Sequence, residues 1–122
     1  MILIVEDDPD TRHAIGEYLS TLFPAARVVI SESGETALAL AERIAPQVVL
    51  LDLRLGGMQG FEFAERLRRH TRAADTAIVA LTADTSPDTL LRAEEAGFAA
   101  FLRKPADLDR LESVLRPLLS RA

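Results

Sequence analysis

The chain has no cysteine, which excludes disulfides, thiolate metal ligands and thiol nucleophiles, and leaves the redox compartment unmarked. Long apolar runs are missing too: the longest stretches are about five residues, against the roughly 20 that a membrane-spanning helix requires. No charged segment followed by a long apolar one stands at the N-terminus, so a soluble, cytoplasmic protein is expected. Basic blocks are equally scarce. With 14 Lys and Arg against 19 Asp and Glu the formal net charge is −5, and no patch suggests direct contact with nucleic acid. Repeats, linkers and low-complexity segments are absent from the 122 residues, so one domain spanning 1–122 is expected.

What is present is alternation. Short apolar runs occur at 2–5 (ILIV), 28–30 (VVI), 48–51 (VVLL), 77–81 (AIVAL) and 99–102 (AAFL). Several lack polar alternation, which suits strands buried on both faces of a parallel sheet. Between them lie helical stripes: Ala14, Ile15, Tyr18, Leu19 and Leu22, then Ala37, Leu38, Ala41 and Ile44, then Phe61, Ala64 and Leu67. Asp8-Pro9 and Ser86-Pro87 each read as an N-cap followed by proline at the first helical position, and Asp107 as the cap of a last helix carrying Leu108, Leu111, Leu115 and Leu118. Pro117 is expected to kink or end that helix. Gly97 is placed to close the fourth helix in a left-handed cap. Strict alternation implies an α/β fold with an open, doubly wound parallel sheet and helices on both faces. Ligands of such sheets bind outside the carboxyl ends of the strands.

Those ends carry the chemistry. The first strand stops at Glu6-Asp7-Asp8, the third at Asp52, the fourth at Thr82 and the fifth just before Lys104-Pro105. Like charges about 4 Å apart repel by roughly 4 kcal/mol at an effective dielectric near 20, so Glu6, Asp7 and Asp52 in one crevice call for neutralisation. A hard divalent cation such as Mg²⁺, which takes carboxylate and carbonyl oxygens and keeps several waters, provides it. Lys104 adds a positive charge able to pair with Asp52 or hold an anion, and Thr82 adds a hydroxyl. An aspartate so surrounded is equipped to attack phosphorus and become an acyl phosphate. The glycine-rich 56–60 loop (GGMQG) reads as a flexible element that leaves Asp52 reachable, the adjacent Gly56 and Gly57 loosening it.

The segments ILIVEDDP, VVLLDLRLGGMQG, LTA and FLRKP, in this order and spacing, resemble the receiver domain of two-component response regulators, the CheY-like fold. The resemblance covers essentially the whole chain. It implies a (βα)5 fold of strand order 2-1-3-4-5, as in flavodoxin-like sheets. It further implies phosphorylation of Asp52 by a phosphohistidine of a sensor histidine kinase or histidine phosphotransfer protein. Asp7, Asp52 and the backbone carbonyl of Arg54 would hold Mg²⁺, with Mn²⁺ as a substitute, and Glu6 would act mainly through water. Thr82 and Lys104 would contact the phosphoryl group, and Phe101 would be an aromatic switch moving inward with Thr82. The face of the fourth helix, fifth strand and fifth helix would change its partner preference, with dimerisation on activation as one outcome. Little enzymatic role is expected beyond assisting the chain's own phosphorylation and hydrolysis.

Two departures stand out. Gly56 replaces a proline common in receivers, and Phe101 lacks the hydroxyl of the tyrosine often found there. Arg54 and Asp84, two positions beyond Asp52 and Thr82, carry opposite charges and are expected to pair across the entrance and slow attacking water. Rival readings weaken on the same residues. A flavin phosphate would be repelled by Glu6-Asp7-Asp8, and a haloacid-dehalogenase-type hydrolase usually needs a second acid where Arg54 stands. A receiver-like scaffold that binds partners without phosphorylation is the remaining alternative. His13 and His70 lack partners at ligand spacing and are expected to be solvated. The sequence ends around LLSRA without an output domain, so a stand-alone regulator or a piece of a larger one is expected.

Overall fold

The computed structural model describes residues 1–70 and 75–120. Among these residues ten elements alternate: β1 (Ile2–Val5), α1 (Pro9–Leu22), β2 (Val28–Ser31), α2 (Gly34–Ile44), β3 (Val48–Asp52), α3 (Gly60–Arg68), β4 (Ala77–Thr82), α4 (Pro87–Glu95), β5 (Ala100–Arg103) and α5 (Leu108–Leu119). All strand pairings are parallel and the order is β2-β1-β3-β4-β5, as expected of the CheY-like fold. Among the described residues, no helix is long and apolar enough to cross a membrane.

The missing polar alternation in the strands has a direct cause. Leu3, Val5, Val49, Leu51, Ile78 and Ala80 face one core with Ala37, Leu38 and Ala41 of α2 and Phe63, Ala64 and Leu67 of α3. Their neighbours Ile2, Ile4, Val48, Leu50, Val79 and Leu81 face the other, with Ile15 and Leu19 of α1 and Leu111 and Leu115 of α5. With both faces covered, a two-residue period needs no polar partner.

The caps follow the sequence reading. The Asp8 carboxylate accepts from the Thr11 N–H at 3.0 Å, Ser86 Oγ from the Thr89 N–H at 3.4 Å, and Asp107 from the Asp109 N–H at 3.0 Å. Gly97, at φ 75°, ends α4 in a Schellman motif: its own N–H reaches the Glu94 carbonyl at 3.0 Å and the Phe98 N–H reaches Ala93 at 3.2 Å. Pro117 behaves differently from expectation, because α5 runs past it to Leu119. It sits in the last turn, so its ring disturbs little downstream helix, and the Ser120 N–H still closes on Arg116 at 3.2 Å. Ile44 and Leu108, counted on buried stripes, are each 42% exposed at opposite ends of their helices. His13 is exposed, but His70 is half-buried. Its backbone N–H donates to the Leu67 carbonyl at 3.0 Å, and its Nδ1 is buried without a hydrogen-bond partner among the described residues.

Candidate functional site

Register builds the site. Val5 pairs with Leu51, so Glu6 and Asp52, the next residues on neighbouring central strands, emerge side by side. Asp52 pairs with Leu81 and Thr82 with Arg103, which sets Thr82 and Lys104 on the same carboxyl edge. The Lys104 N–H donates to the Thr82 carbonyl at 2.9 Å, and the Lys104-Pro105 peptide is cis.

Carboxylate oxygens of Glu6, Asp7 and Asp52 lie within 4.8 Å of one another, the acidic cluster expected from the sequence. Their environments differ. Glu6 and Asp52 are 2% and 5% exposed, whereas Asp7 is exposed. Lys104 Nζ bridges the buried pair, donating to Asp52 Oδ2 at 3.0 Å and to Glu6 Oε1. The second Asp52 oxygen accepts from the Arg54 N–H at 3.0 Å. Glu6 Oε2 is buried and has no hydrogen-bond partner among the described residues. Burial, reinforced by the neighbouring Asp52, pushes the Glu6 carboxyl from 4.5 up to about 7 against the pull of Lys104. Burial pulls Lys104 down, but its bonds to Glu6 and Asp52 outweigh that and leave it raised, hence charged. One ammonium among three carboxylates leaves a negative excess and an orphaned buried oxygen. That donor set fits a hard, oxygen-seeking cation.

Thr82 is fully buried, and its Oγ1 accepts from the Asp84 N–H at 3.1 Å. Arg54 and Asp84 meet at 3.6 Å, with the arginine side chain 75% exposed. Asp84 is held mainly elsewhere. Its carboxyl is lowered to about 2, first by the Ser86 N–H and then by the Thr89 hydroxyl, with Arg54 contributing least. Phe101 pairs with Ala80 in the sheet and packs, partly buried, against the α2–α3 core.

The 56–60 loop, read from its glycines as flexible, carries several hydrogen bonds. Gln59 grips the backbone of Leu55 twice, accepting its N–H at 3.3 Å and donating to its carbonyl at 2.7 Å. The Gly56 N–H donates to Asp7 Oδ2 at 3.3 Å, and the Met58 N–H to Glu35 Oε1 at 3.1 Å. Gly57, at φ 76°, takes a conformation other residues avoid. Sequence reasoning missed Gln59 and Glu35, and also Arg12, whose guanidinium donates to the backbone carbonyls of Glu6 and Asp7 at 3.3 Å each. Only Gln59 had a local signal, four residues from Leu55 across glycines.

The response regulator receiver domain family model matches residues 2–116. The chain is 33% identical over 122 residues to the DNA-binding dual master transcriptional regulator RpaA of Synechocystis, covering 98% of this chain and 49% of the relative, so it spans about half that protein's length. The signal receiver domain of a DNA binding response regulator from Colwellia psychrerythraea matches with a TM-score of 0.91 at 30% identity, covering 98% of each chain. The receiver domain of a sensor histidine kinase from Pseudomonas aeruginosa, solved with a magnesium ion coordinated in its active site cleft, matches with a TM-score of 0.87 at 28% identity over 98% of this chain and 97% of that one. A family match over nearly the whole length joins a fold and an acidic edge that agree with it, and the chain belongs to the response regulator receiver domains of two-component systems.

Proposed function

We propose that this receiver domain is a phosphorylation-controlled switch whose acceptor is Asp52. The observation that carries the reading is a buried aspartate at a strand end, bonded to Lys104 at 3.0 Å and set within 4.8 Å of two further carboxylates. Receiver domains interact with histidine kinases or histidine phosphotransfer proteins, and a phosphohistidine of such a partner is the proposed donor. An Asp52 oxygen attacks phosphorus, the new O–P bond forms as the N–P bond breaks, and the electron pair returns to the imidazole nitrogen.

Receiver domains bind Mg²⁺ at an acidic pocket, and the residues here fit it. Asp7, Asp52 and the Arg54 backbone carbonyl would hold Mg²⁺ or Mn²⁺ directly, with Glu6 acting mainly through water. The bound ion offsets charge on the phosphoryl oxygens. Lys104 supplies a second positive charge, and the Thr82 O–H, whose oxygen already accepts from Asp84, donates to a phosphoryl oxygen. Phe101 would follow Thr82 inward, altering the face of α4, β5 and α5, where Leu90, Leu91 and Leu108 are 42%, 55% and 42% exposed. Arg54 and Asp84 would shield the phosphoryl group from water. The setting is the cytoplasm, where the receiver acts through partners rather than by turnover and dimerisation is one consequence of activation.

Intact mass after incubation with acetyl phosphate tests the acceptor. The expected result is a Mg²⁺-dependent gain of one phosphoryl group in wild type and none in Asp52→Ala. A wild type that binds Mg²⁺ yet gains no mass from acetyl phosphate or from a phosphohistidine donor overturns the reading in favour of the unphosphorylated scaffold. In the same samples Arg54→Ala should lose its phosphoryl group faster, and an unchanged rate removes the shielding role.

A further inference from the structure

The 53–59 segment between β3 and α3 carries the Arg54 carbonyl of the proposed cation site, and its position sets the geometry there. Several ties hold it. Gly60 N–H to the Leu53 carbonyl and both Gln59 bridges are internal to the segment and its helix, so they shape it without fixing it in space. Gly56 N–H to Asp7 Oδ2 reaches the site itself, through a carboxylate that would also hold the cation in the reading above. A further tie, from the Met58 N–H to Glu35 Oε1 at 3.1 Å, anchors the loop to a different helix and uses no carboxylate of the acidic cluster.

Glu35 is well placed to be an anchor. It lies in the first turn of α2, where the helix dipole favours a carboxylate. The N-cap Ser33 fixes that turn by accepting from the Thr36 N–H at 3.2 Å. Its two oxygens divide the loop between them. Oε1 takes the Met58 N–H, and Oε2 lies only 2.9 Å from where a Cβ on Gly57 would stand. Gly34, the preceding residue, packs so closely on Met58 that an added Cβ would meet the Met58 carbonyl at 3.1 Å. A loop containing two adjacent glycines would otherwise be costly to order, and here the cost is met before any ion arrives.

We propose that Glu35 is a positioning residue for the cation site, holding the 53–59 loop in its ligating position through the Met58 N–H. The proposal rests on the receiver reading above and names a residue outside the acidic cluster. Losing one such hydrogen bond is worth about fivefold in affinity.

Mg²⁺ affinity of the 122-residue chain, measured by calorimetry, tests it with Glu35→Ala, Glu35→Gln and Asp7→Asn. Glu35→Ala should bind Mg²⁺ about fivefold more weakly, while Glu35→Gln, which keeps an acceptor oxygen, stays within about twofold of wild type. With acetyl phosphate, the Mg²⁺ concentration for half-maximal phosphorylation of Glu35→Ala should rise by the same factor and the rate at saturating Mg²⁺ should hold. In the ion-free protein, the Met58 amide should exchange with solvent at least tenfold faster in Glu35→Ala. Equal affinity and equal Met58 exchange in wild type and Glu35→Ala overturn the proposal while leaving the cation site intact. A wild type that binds Mg²⁺ no better than Asp7→Asn removes the cation site, and the positioning role falls with it. A Glu35→Gln as weak as Glu35→Ala also overturns it, since charge rather than the hydrogen bond would then be responsible.

Discussion

At the carboxyl edge of the sheet, the central strands β1, β3 and β4 are buried throughout and built to stay, whereas α4, which follows β4, is packed loosely enough to give. In the first region, every residue of the three strands is buried, Asp52 and Glu6 are clamped by Lys104, and α2 contributes Gly34, Ala37, Leu38 and Ala41 to the interior. In the second, α4 buries only Ala93, exposes Leu90 and Leu91, and contributes no residue to either apolar cluster. Two surface devices hold it: the Asp84 cap network, and Arg92 lying 4.1 Å over the Phe61 ring, which stacks on Phe98 at 5.6 Å. Chemistry needs fixed oxygens, since a displaced carboxylate loses its geometry. A signalling face needs a second position at small cost. Strength of packing divides the molecule along that line.

The largest expected break comes on the rigid side. A Cβ at Gly60 would stand 2.7 Å from Leu53 Cα and 2.8 Å from the Asp52 carbonyl oxygen, both backbone atoms at or beside the proposed acceptor. Gly60→Ala should therefore cost about 2–3 kcal/mol in urea unfolding, and a loss below ~1 kcal/mol would show that this backbone yields and that the contrast is overstated.

Much of the fold is legible in the sequence because its signals are local. Apolar runs without polar alternation announce strands covered on both faces, Asp8, Ser86 and Asp107 announce helix starts, and the register then brings Glu6, Asp52, Thr82 and Lys104 to one edge. What escapes is the set of contacts made across sequence distance. Glu35 and Met58 are 23 positions apart and follow no spacing rule, so the loop read as slack from its glycines is in fact tied. Successive residues at a strand end point to opposite sides, yet whether Glu6 or Asp7 is the buried one depends on how Lys104 reaches back, which only the fold supplies. Pro117 misleads for a different reason: the rule against interior proline weakens in a last turn.

A smaller effect is expected on the yielding side. Phe61→Ala removes the stack on Phe98 and the seat of Arg92, contacts worth about 1–2 kcal/mol together. Amide exchange across α4 should speed up while Mg²⁺ affinity stays within about twofold of wild type, because the aromatic pair touches none of the three carboxylates. A matching fall in Mg²⁺ affinity would mean that the two sides are mechanically one.

Acid separates the two sides most finely, since their carboxyls are displaced in opposite directions. Glu6 has a folded value raised to about 7 from 4.5, so the ion-free fold holds this proton more tightly than the unfolded chain does, and stability from this group falls as pH rises across that window. Asp84 is the reverse. Its folded value is lowered to about 2 from 3.8, so its contribution is complete above 3.8 and is lost as pH falls towards 2. Protonation there weakens the Asp84 bonds to the Ser86 N–H at 3.0 Å and the Thr89 hydroxyl at 2.8 Å, which organise the start of α4. Between pH 4 and pH 2, then, the α4 entrance should loosen while Glu6, already protonated, changes nothing. In an NMR titration the Ser86 amide shift should move with a midpoint about 2, and Asp84→Asn should abolish the movement. A midpoint near the ordinary 3.8 would show that the cap holds Asp84 no better than water does, and the hold on α4 would then pass to the Ser86 cap and the aromatic stack.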